Sequence, residues 1–369
     1  MNRKGKERLF KYALALLLSL SFQNCAAERL PALEAALEGT TVSGLSSGGY
    51  MASQFHVAYS ATISGAGIIA GGPYYCAGTF GWPSSFFVVT ATTSCMNPCR
   101  YSIWPFESAC LQALLPDGEA LADKAREHAE AGLIDTPEQL ANDRVYLFSG
   151  GEDDTVVTEV VAEAERFYRA VGVPAAAIEF EVNPEAGHAF ISDNLDHACD
   201  AHAPPFINNC EDYDQARALL THLYGVLAAN ADTLEGEMLA FDQREFLDTD
   251  TQFESSGLAD TGYLYIPKSC QAGGCALHVA FHGCRQSAAE IDTNGVFFHE
   301  AAGYNEVAEN NRLLVLYPQI RDRSLMEETP YNPRGCWDFW GYSGADFFTQ
   351  SGLQPQAVHG MINRLRQRP

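Results

Sequence analysis

A serine flanked by glycines, between a strand and a helix, constrains this chain more than any other feature. Residues Gly44–Gly48 have the G-x-S-x-G pattern. The pattern before them predicts a strand over 39–43, and residues 50–59 predict a helix. In this setting the motif predicts a tight turn that exposes the hydroxyl of Ser46, with glycines where a Cβ would clash. Ser47 competes as the nucleophile, but it has no glycine two residues before it. A plain Gly/Ser-rich turn is the alternative.

Short apolar segments alternate with helical patterns along the rest of the chain. This alternation predicts an α/β protein with a mainly parallel sheet and helices on both faces. We expect strands over 63–70, 144–148, 178–182, 263–266, 277–281 and 313–317, and helices over 156–171 and 358–366. Residues 76–110 are rich in Cys, Pro and aromatics and are expected to be irregular. The polar, acidic stretch 233–261 reads as a surface connection.

Two loops after predicted strands supply the partners that a serine nucleophile needs. A serine hydroxyl requires a base, and the base requires an orienting carboxylate. In α/β-hydrolases these follow the serine in the order Asp, His. Asp153 follows the strand at 144–148 and is the predicted acid, with Asp154 as the alternative and a helix N-cap as another explanation for either. His188 follows the strand at 178–182 and is the predicted base.

A His-Gly pair at the end of a strand stands in an unusual place. In linear α/β-hydrolases such a loop precedes the nucleophile and donates a backbone N–H to the oxyanion hole. Here His282-Gly283 comes far downstream of Ser46. Joining the C-terminus to residue 28 would restore the usual order of elements. We therefore predict a circularly permuted α/β-hydrolase, in which His282 and His278 are structural rather than catalytic.

The first 27 residues have the pattern of an export signal. A basic start precedes an apolar run over 12–22, which is too short to span a bilayer. We expect cleavage after Ala27, with lipidation of Cys25 as the alternative. The mature chain, 28–369, is then expected to be a single catalytic domain, secreted to the extracellular space, with the periplasm as the alternative.

The cysteine count agrees with export. Without Cys25, ten of the 11 cysteines remain, and an even number in an oxidising compartment suggests five disulfides. Proximity in sequence favours Cys199–Cys210 and Cys270–Cys275. The four cysteines between 76 and 110 would pair among themselves, which leaves Cys284 with Cys336.

Several motifs together resemble a known family. They are Gly44–Met51, Ala70–Tyr74, Thr261–Pro267, His282–Cys284 and Gly335–Asp338. In this permuted order they resemble the extracellular poly(3-hydroxybutyrate) depolymerases with a circularly permuted α/β-hydrolase fold, over nearly the whole mature chain. Residues 77–110 depart from the family pattern.

The resemblance implies a serine esterase that acts on a polyester. It implies Ser46 as nucleophile, Asp153 as acid and His188 as base. It also implies an oxyanion hole from the backbone N–H groups of Ser47 and Cys284, and a polymer contact at Trp337. By the same resemblance Cys76 pairs with Cys95 and Cys284 with Cys336, which leaves Cys99–Cys110.

Charge and composition limit the partners. The formal net charge is −24, and such a surface repels nucleic acids and anionic membranes. We expect no cofactor and no metal, a polyester as the substrate, and a monomer. An esterase for small or plant-wall (feruloyl or acetyl) esters is the second hypothesis. A secreted binding protein that keeps a hydrolase fold without turnover is the third.

Overall fold

Strands and helices alternate through most of the chain. The computed structural model describes residues 27–101, 112–211, 213–289, 295–323 and 329–369. Its strands are β1 (Thr40–Leu45), β2 (Ile63–Ile69), β3 (Arg144–Gly150), β4 (Ile178–Asn183), β5 (Phe190–Ile191), β6 (Ile207–Asn208), β7 (Glu237–Asp242), β8 (Thr261–Ile266), β9 (Ala276–Phe281) and β10 (Leu313–Tyr317). Its α-helices are α1 (Ser47–Ala58), α2 (Phe87–Thr92), α3 (Gly118–Glu130), α4 (Thr158–Ala170), α5 (Gln215–Tyr224), α6 (Asp250–Ser256), α7 (Phe298–Ala301), α8 (Tyr304–Asn311) and α9 (Leu353–Arg366).

Eight of these strands form one sheet in the order β4-β3-β2-β1-β9-β10-β8-β7. The six strands from β4 to β10 run parallel, whereas β8 is antiparallel to both of its neighbours. The carboxyl ends of β1, β3, β4 and β9 therefore lie along the same edge of the sheet. Ligand sites of parallel α/β sheets occur at this edge, so the fold brings the loops after these strands together.

The segment before β1 lies beside the end of the last helix. The backbone N–H of Leu33 donates to the carbonyl of Leu365 at 3.1 Å, and that of Glu34 donates to Gln367 at 2.8 Å. The last helix thus leads in space to the segment before β1. Joining the two ends places β7 to β10 and α9 before β1, which is the usual order of the hydrolase sheet. The predicted circularly permuted α/β-hydrolase fold, with helices on both faces of a mainly parallel sheet, is confirmed.

The core is centred on β1, β9 and β10. All residues of β1 and β10 are buried, as are all twelve residues of α1, which packs against β1 and β2. A helix that is buried all round fixes the position of its first turn firmly, because any tilt would open voids in a close-packed interior. The start of α1, directly after Ser46, is therefore one of the most constrained points of the molecule.

The stretch 233–261, expected to be a surface connection, is instead structured. It contains β7, which pairs with β8 at the edge of the sheet, and the helix α6. The strand was missed because an edge strand is only half buried, so its apolar pattern is diluted by acidic residues such as Glu237. Residues 76–101 contain only short helical turns and α2, in agreement with the expected irregular segment.

Four disulfides staple the described residues. They are Cys76–Cys95, Cys199–Cys210, Cys270–Cys275 and Cys284–Cys336, as predicted. The fifth expected pair, Cys99–Cys110, involves a cysteine outside the described residues. Among the helices that the structure describes, none combines the length and apolarity needed to cross a lipid bilayer.

Candidate active site

The serine of the G-x-S-x-G motif lies in the turn between β1 and α1. Ser46 has φ 57° and ψ −121°, a strained conformation for a residue with a side chain. The flanking glycines make this turn possible. A Cβ at Gly48 would overlap the carbonyl oxygens of Phe281 and His282, and a Cβ at Gly44 would overlap the backbone of Gly48. The packed backbones hold the Ser46 side chain at the mouth of a cavity, where it is 8% exposed.

The predicted acid and base form a direct pair. Asp153 follows β3 and His188 follows β4; the Nδ1 atom of His188 lies 2.7 Å from Oδ2 of Asp153. The other carboxylate oxygen accepts the backbone N–H groups of Thr155 at 2.8 Å and Val156 at 2.9 Å. Because a carboxylate only accepts, Nδ1 of His188 is the donor, which leaves Nε2 with a free lone pair when the ring is neutral.

Asp154, the alternative acid, has a different environment. Its side chain is 69% exposed and lies 3.7 Å from a guanidinium nitrogen of Arg100. The Asp153 side chain is 0% exposed and faces the histidine. The loop therefore presents Asp153, not Asp154, to His188. The hydrogen bonds within the described residues do not include one between Ser46 and His188, as is common in hydrolases without substrate.

The backbone N–H groups predicted for the oxyanion hole lie on adjacent elements. Ser47 is the first residue of α1, where helical N–H groups have no internal acceptor. Cys284 follows β9, whose Phe281 is in register with Gly44 of β1. Ser46 and Cys284 line the same cavity. In the described part of the chain, neither the Ser47 nor the Cys284 N–H donates to a protein acceptor.

The loop after β9 is braced on several sides. Gln286 accepts the N–H of Gly283 at 2.6 Å, and its amide nitrogen donates to the carbonyls of Pro205 and Phe206. The ring of Phe206 in turn lies edge-on to His188, with centroids 6.3 Å apart. Gln286 thus connects the loop after β9 with the surroundings of His188.

His282 and His278 have structural environments, as expected. His282 donates from Nδ1 to the carbonyl of Gly283 at 2.7 Å and accepts the N–H of Ile320 at Nε2. Burial lowers its pKa to about 4. His278 lies between the hydroxyls of Thr41 and Ser43, and burial lowers its pKa to about 3. Both rings are therefore neutral at neutral pH, and neither has a carboxylate partner among the described residues.

Ser47, the competing nucleophile, has a different partner. Its hydroxyl accepts the backbone N–H of Trp337 at 3.2 Å, and the side chain is 1% exposed. This contact joins the turn between β1 and α1 to the segment that follows Cys336. Of the two serines in the turn, Ser46 is the one that lines the cavity.

The expected polymer contact at Trp337 is not supported by its position and has to be corrected. The indole is fully buried and packs edge-on against Phe281, with ring centroids 4.9 Å apart, and against His282. It does not line the cavity. The cavity tryptophan is Trp340, three residues later, which is half buried. The sequence signal for it is the second tryptophan in the same short turn.

A buried carboxylate shapes the turn that presents Trp340. Asp338 accepts the backbone N–H groups of Trp340, Gly341, Tyr342 and Ser343, at distances between 2.6 and 3.1 Å. The hydroxyl of Ser343 donates to it as well. Desolvation raises the pKa of Asp338, an effect that these hydrogen bonds oppose. The cage of donors fixes the turn and hence the position of Trp340.

The cavity has a volume of about 400 Å³ and is mostly apolar. Besides Ser46, Cys284 and Trp340, it is lined by Tyr50, Val88, Met96, Val156, Phe339 and Arg334. Val88 and Met96 belong to the irregular segment 76–101. Val88 is also about half exposed to solvent, as are Phe86 and Trp82 of the same segment. The site is suited to nucleophilic attack on an ester in an apolar chain.

Comparison with known proteins gives a consistent group of relatives. The chain is 38% identical over 346 residues to a poly(3-hydroxybutyrate) depolymerase of Delftia acidovorans, a match that covers 92% of this chain and 62% of that protein. It is 33% identical over 368 residues to a polyhydroxybutyrate depolymerase of Talaromyces funiculosus, which covers 95% of this chain and 96% of that protein. The chain thus spans less than two thirds of the Delftia relative. No protein-family model matches it.

Two solved structures share the fold. One is the crystal structure of the PHB (polyhydroxybutyrate) depolymerase from Penicillium funiculosum. The other is a serine-to-alanine variant of a PHB depolymerase complexed with an R3HB trimer. Each has a TM-score of 0.76 and 31% sequence identity, and each match covers 91% of this chain and 98% of that chain.

Proposed function

Because this chain belongs to the poly(3-hydroxybutyrate) depolymerase family, we propose that it is a secreted serine esterase that hydrolyses poly(3-hydroxybutyrate)-type polyester. The observation that carries the proposal is the Asp153–His188 pair, placed after β3 and β4 at the edge of the sheet where Ser46 lies. An oriented base at the same edge of the sheet as a serine that lines a cavity is the arrangement that acyl transfer requires.

The proposed reaction proceeds through an acyl-enzyme. Ser46 attacks the ester carbonyl while Nε2 of His188 takes its proton, and the N–H groups of Ser47 and Cys284 stabilise the oxyanion. His188 then protonates the departing alcohol. Water, activated by the same ring, attacks the acyl group and releases the acid. Asp153 holds the ring in the required tautomer and stabilises its cationic form.

An insoluble polyester fits the site better than a small ester. The cavity is apolar, with Trp340 as a large flat contact, and methyl and methylene groups of a polyester would bury against it. Val88 of the cavity lining is about half exposed, and so are Trp82 and Phe86 of the same segment. Exposed apolar surface of this kind is characteristic of interaction sites. Such exposed apolar side chains favour binding to the surface of an insoluble polymer.

We propose export on two grounds. Residues 1–27 have the pattern of a cleaved signal peptide, and disulfides such as Cys284–Cys336 persist in oxidising compartments. Residues 28–369 are proposed to form one catalytic domain that acts as a monomer without a cofactor or metal.

Two substrates separate the polyester hypothesis from that of a small-ester esterase. We expect the purified protein to clear a suspension of poly(3-hydroxybutyrate) granules. We also expect it to hydrolyse soluble oligomers of 3-hydroxybutyrate more efficiently than short soluble esters. Ser46→Ala serves as the control for hydrolysis by contaminants. Rapid hydrolysis of feruloyl or acetyl esters with no clearing of granules would favour the alternative. If the Ser46→Ala variant still cleared granules and hydrolysed soluble esters as the wild type does, Ser46 would not be the nucleophile.

A further inference from the structure

Arg334 is the one arginine or lysine among the residues described as lining the catalytic cavity. Arg334 contributes to the same cavity as Ser46 and Cys284. The guanidinium group cannot be neutralised at physiological pH, so a permanent positive charge is placed beside the proposed reaction site.

Arg334 is also unpaired, unlike every other arginine and lysine that the structure describes. Each of the others has a hydrogen bond, ion pair or ring contact within the protein. Arg334 is exposed to solvent, and its side chain has none among the described residues. The chain has 47 acidic and 23 basic residues, so internal partners are abundant. A single unpaired arginine in such a protein, located in the catalytic cavity, points to an anionic group on the ligand.

The backbone that carries this arginine is fixed. The N–H of Arg285 donates to the carbonyl of Arg334 at 2.7 Å, and Asn332 accepts the N–H of Cys336 at 3.0 Å. The disulfide between Cys284 and Cys336 joins the same segment to the oxyanion loop. The base of the Arg334 side chain is therefore held at a set place relative to the proposed oxyanion hole.

We propose that Arg334 binds the free carboxylate of a hydroxyacid oligomer whose ester bond lies at Ser46. The inference rests on the proposed function, since it specifies which ligands that site prefers. In an oligomer of a hydroxyacid, the free carboxylate belongs to the fragment that leaves as the alcohol when an ester bond is attacked. Arg334 therefore favours cleavage near the carboxyl end of soluble oligomers and the release of short hydroxyacids. A planar guanidinium matches a carboxylate with two parallel hydrogen bonds.

The test compares two trimers of 3-hydroxybutyrate that differ only at one end. One has a free carboxylate and the other has a primary amide in its place. We expect the wild-type protein to favour the acid, and Arg334→Gln to lower the ratio of acid to amide kcat/KM by roughly five- to tenfold. Arg334→Lys should retain part of the preference for the acid, because the positive charge is kept. The rest should be lost, because an ammonium group cannot form the two parallel hydrogen bonds of a guanidinium. The wild-type preference should also shrink as salt is raised.

Arg368→Gln is the matched control. It removes the same charge from an exposed arginine that pairs with Glu34 near the chain ends, and it should leave the acid-to-amide ratio as in the wild type. If Arg334→Gln and Arg368→Gln change the ratio equally, or if Arg334→Gln leaves it at the wild-type value, the proposal is wrong.

A binding measurement separates this proposal from the proposed function. Calorimetry with Ser46→Ala compares the affinities for the two trimers without turnover, and the double variant with Arg334→Gln repeats the comparison. If Ser46→Ala binds the acid more tightly than the amide and the double variant does not, the role of Arg334 is supported. That holds even if the wild type hydrolyses no ester. Hydrolysis of both trimers with no preference in either measurement overturns the role of Arg334 and leaves the proposed function intact.

Discussion

Ser46 and Ser47 are adjacent in the elbow, but only Ser46 has a hydroxyl on the cavity. We expect Ser46→Ala to lower kcat by about 10⁴-fold or more, because it removes the proposed nucleophile of a triad whose members act as a unit. The free energy of unfolding should change little, since the side chain has no partner to lose among the described residues. Turnover of a soluble ester and denaturant unfolding measure the two quantities.

Ser47→Ala is the matched comparison. It removes an acceptor for the Trp337 N–H, so we expect a loss of about 1 kcal/mol in the free energy of unfolding and activity within severalfold of the wild type. A folded Ser46→Ala protein with near-normal turnover, beside an inactive Ser47→Ala protein, would reverse the assignment.

Two nearby tryptophans should respond in opposite ways to truncation. Trp337 is fully buried, so Trp337→Ala should cost about 3–5 kcal/mol of unfolding free energy and reduce activity on polymer and soluble ester together. Trp340 lines the cavity, so Trp340→Ala should weaken attack on polymer and oligomers with a smaller loss of stability. Melting temperature and both activities are measured on each variant. A stable Trp337→Ala protein impaired only on polymer would contradict the burial argument.

The difference between these tryptophans could not be predicted from the sequence. They stand three residues apart in an irregular turn, where neither a strand nor a helix period assigns a face. The Asp338 carboxylate accepts four backbone N–H groups and fixes the turn at Trp340, whereas the N–H of Trp337 donates to the hydroxyl of Ser47. In contrast, Ser46, Asp153 and His188 could be singled out because each follows a strand and their chain order has chemical meaning.

Among the structural elements, the loop from 282 to 286 depends on a disulfide that closes a long stretch of chain. Cys284 and Cys336 are 52 residues apart in sequence. Replacing both with alanine should lower the free energy of unfolding by about 4 kcal/mol on the chain-entropy model. It should also let the backbone at residue 284, with its N–H group, move relative to Ser46. We expect a marked fall in kcat under conditions where the variant is still folded, measured together with denaturant unfolding.

The pair Cys270–Cys275 provides the control for that experiment. It closes only five residues, beside β9 at the end of the strand opposite the site. Replacing both cysteines should cost about 2 kcal/mol and leave kcat unchanged. Equal effects of the two double variants on kcat would mean that the Cys284–Cys336 bond does not position the oxyanion loop.

Strands differed in how well they could be predicted. The central strands β2, β3, β9 and β10 are buried on both faces and therefore read as nearly continuous apolar runs. The edge strand β7 exposes part of its surface and carries acidic residues, so the sequence around it resembles a connection. Burial on both faces makes a parallel strand recognisable, and an edge position removes that signal.

For the molecule as a whole, buried histidines make stability depend on pH. Burial lowers the pKa of His278 to about 3 and those of His282 and His299 to about 4. In the unfolded chain these groups have a pKa near 6.5 and bind protons first as the pH falls. The unfolded state is therefore favoured increasingly between about pH 6.5 and pH 4.

We expect the free energy of unfolding to fall between pH 7 and pH 5, by about 2 kcal/mol for each of these histidines. Asp338 and Glu306 oppose this, since burial raises the pKa of each acid. Denaturant unfolding across the pH range measures the slope. Calorimetry in two buffers with different ionisation enthalpies measures the protons taken up on unfolding. A stability that is flat from pH 7 to pH 5, or release of protons, would contradict the buried, neutral state of these rings.

The permuted order of the sheet also governs how the protein must fold. The elbow at Ser46 and the oxyanion loop at Cys284 lie on neighbouring strands, β1 and β9, yet more than half of the chain separates them in sequence. Contacts between such distant segments cost loop-closure entropy and form late, which slows folding. A chain folded only as far as β6 would hold the turn at Ser46, the Asp153–His188 pair and the Ser47 N–H, but it would lack the Cys284 N–H of the proposed oxyanion hole. Esterase activity should therefore appear in the last step of refolding, after most of the helical signal has returned.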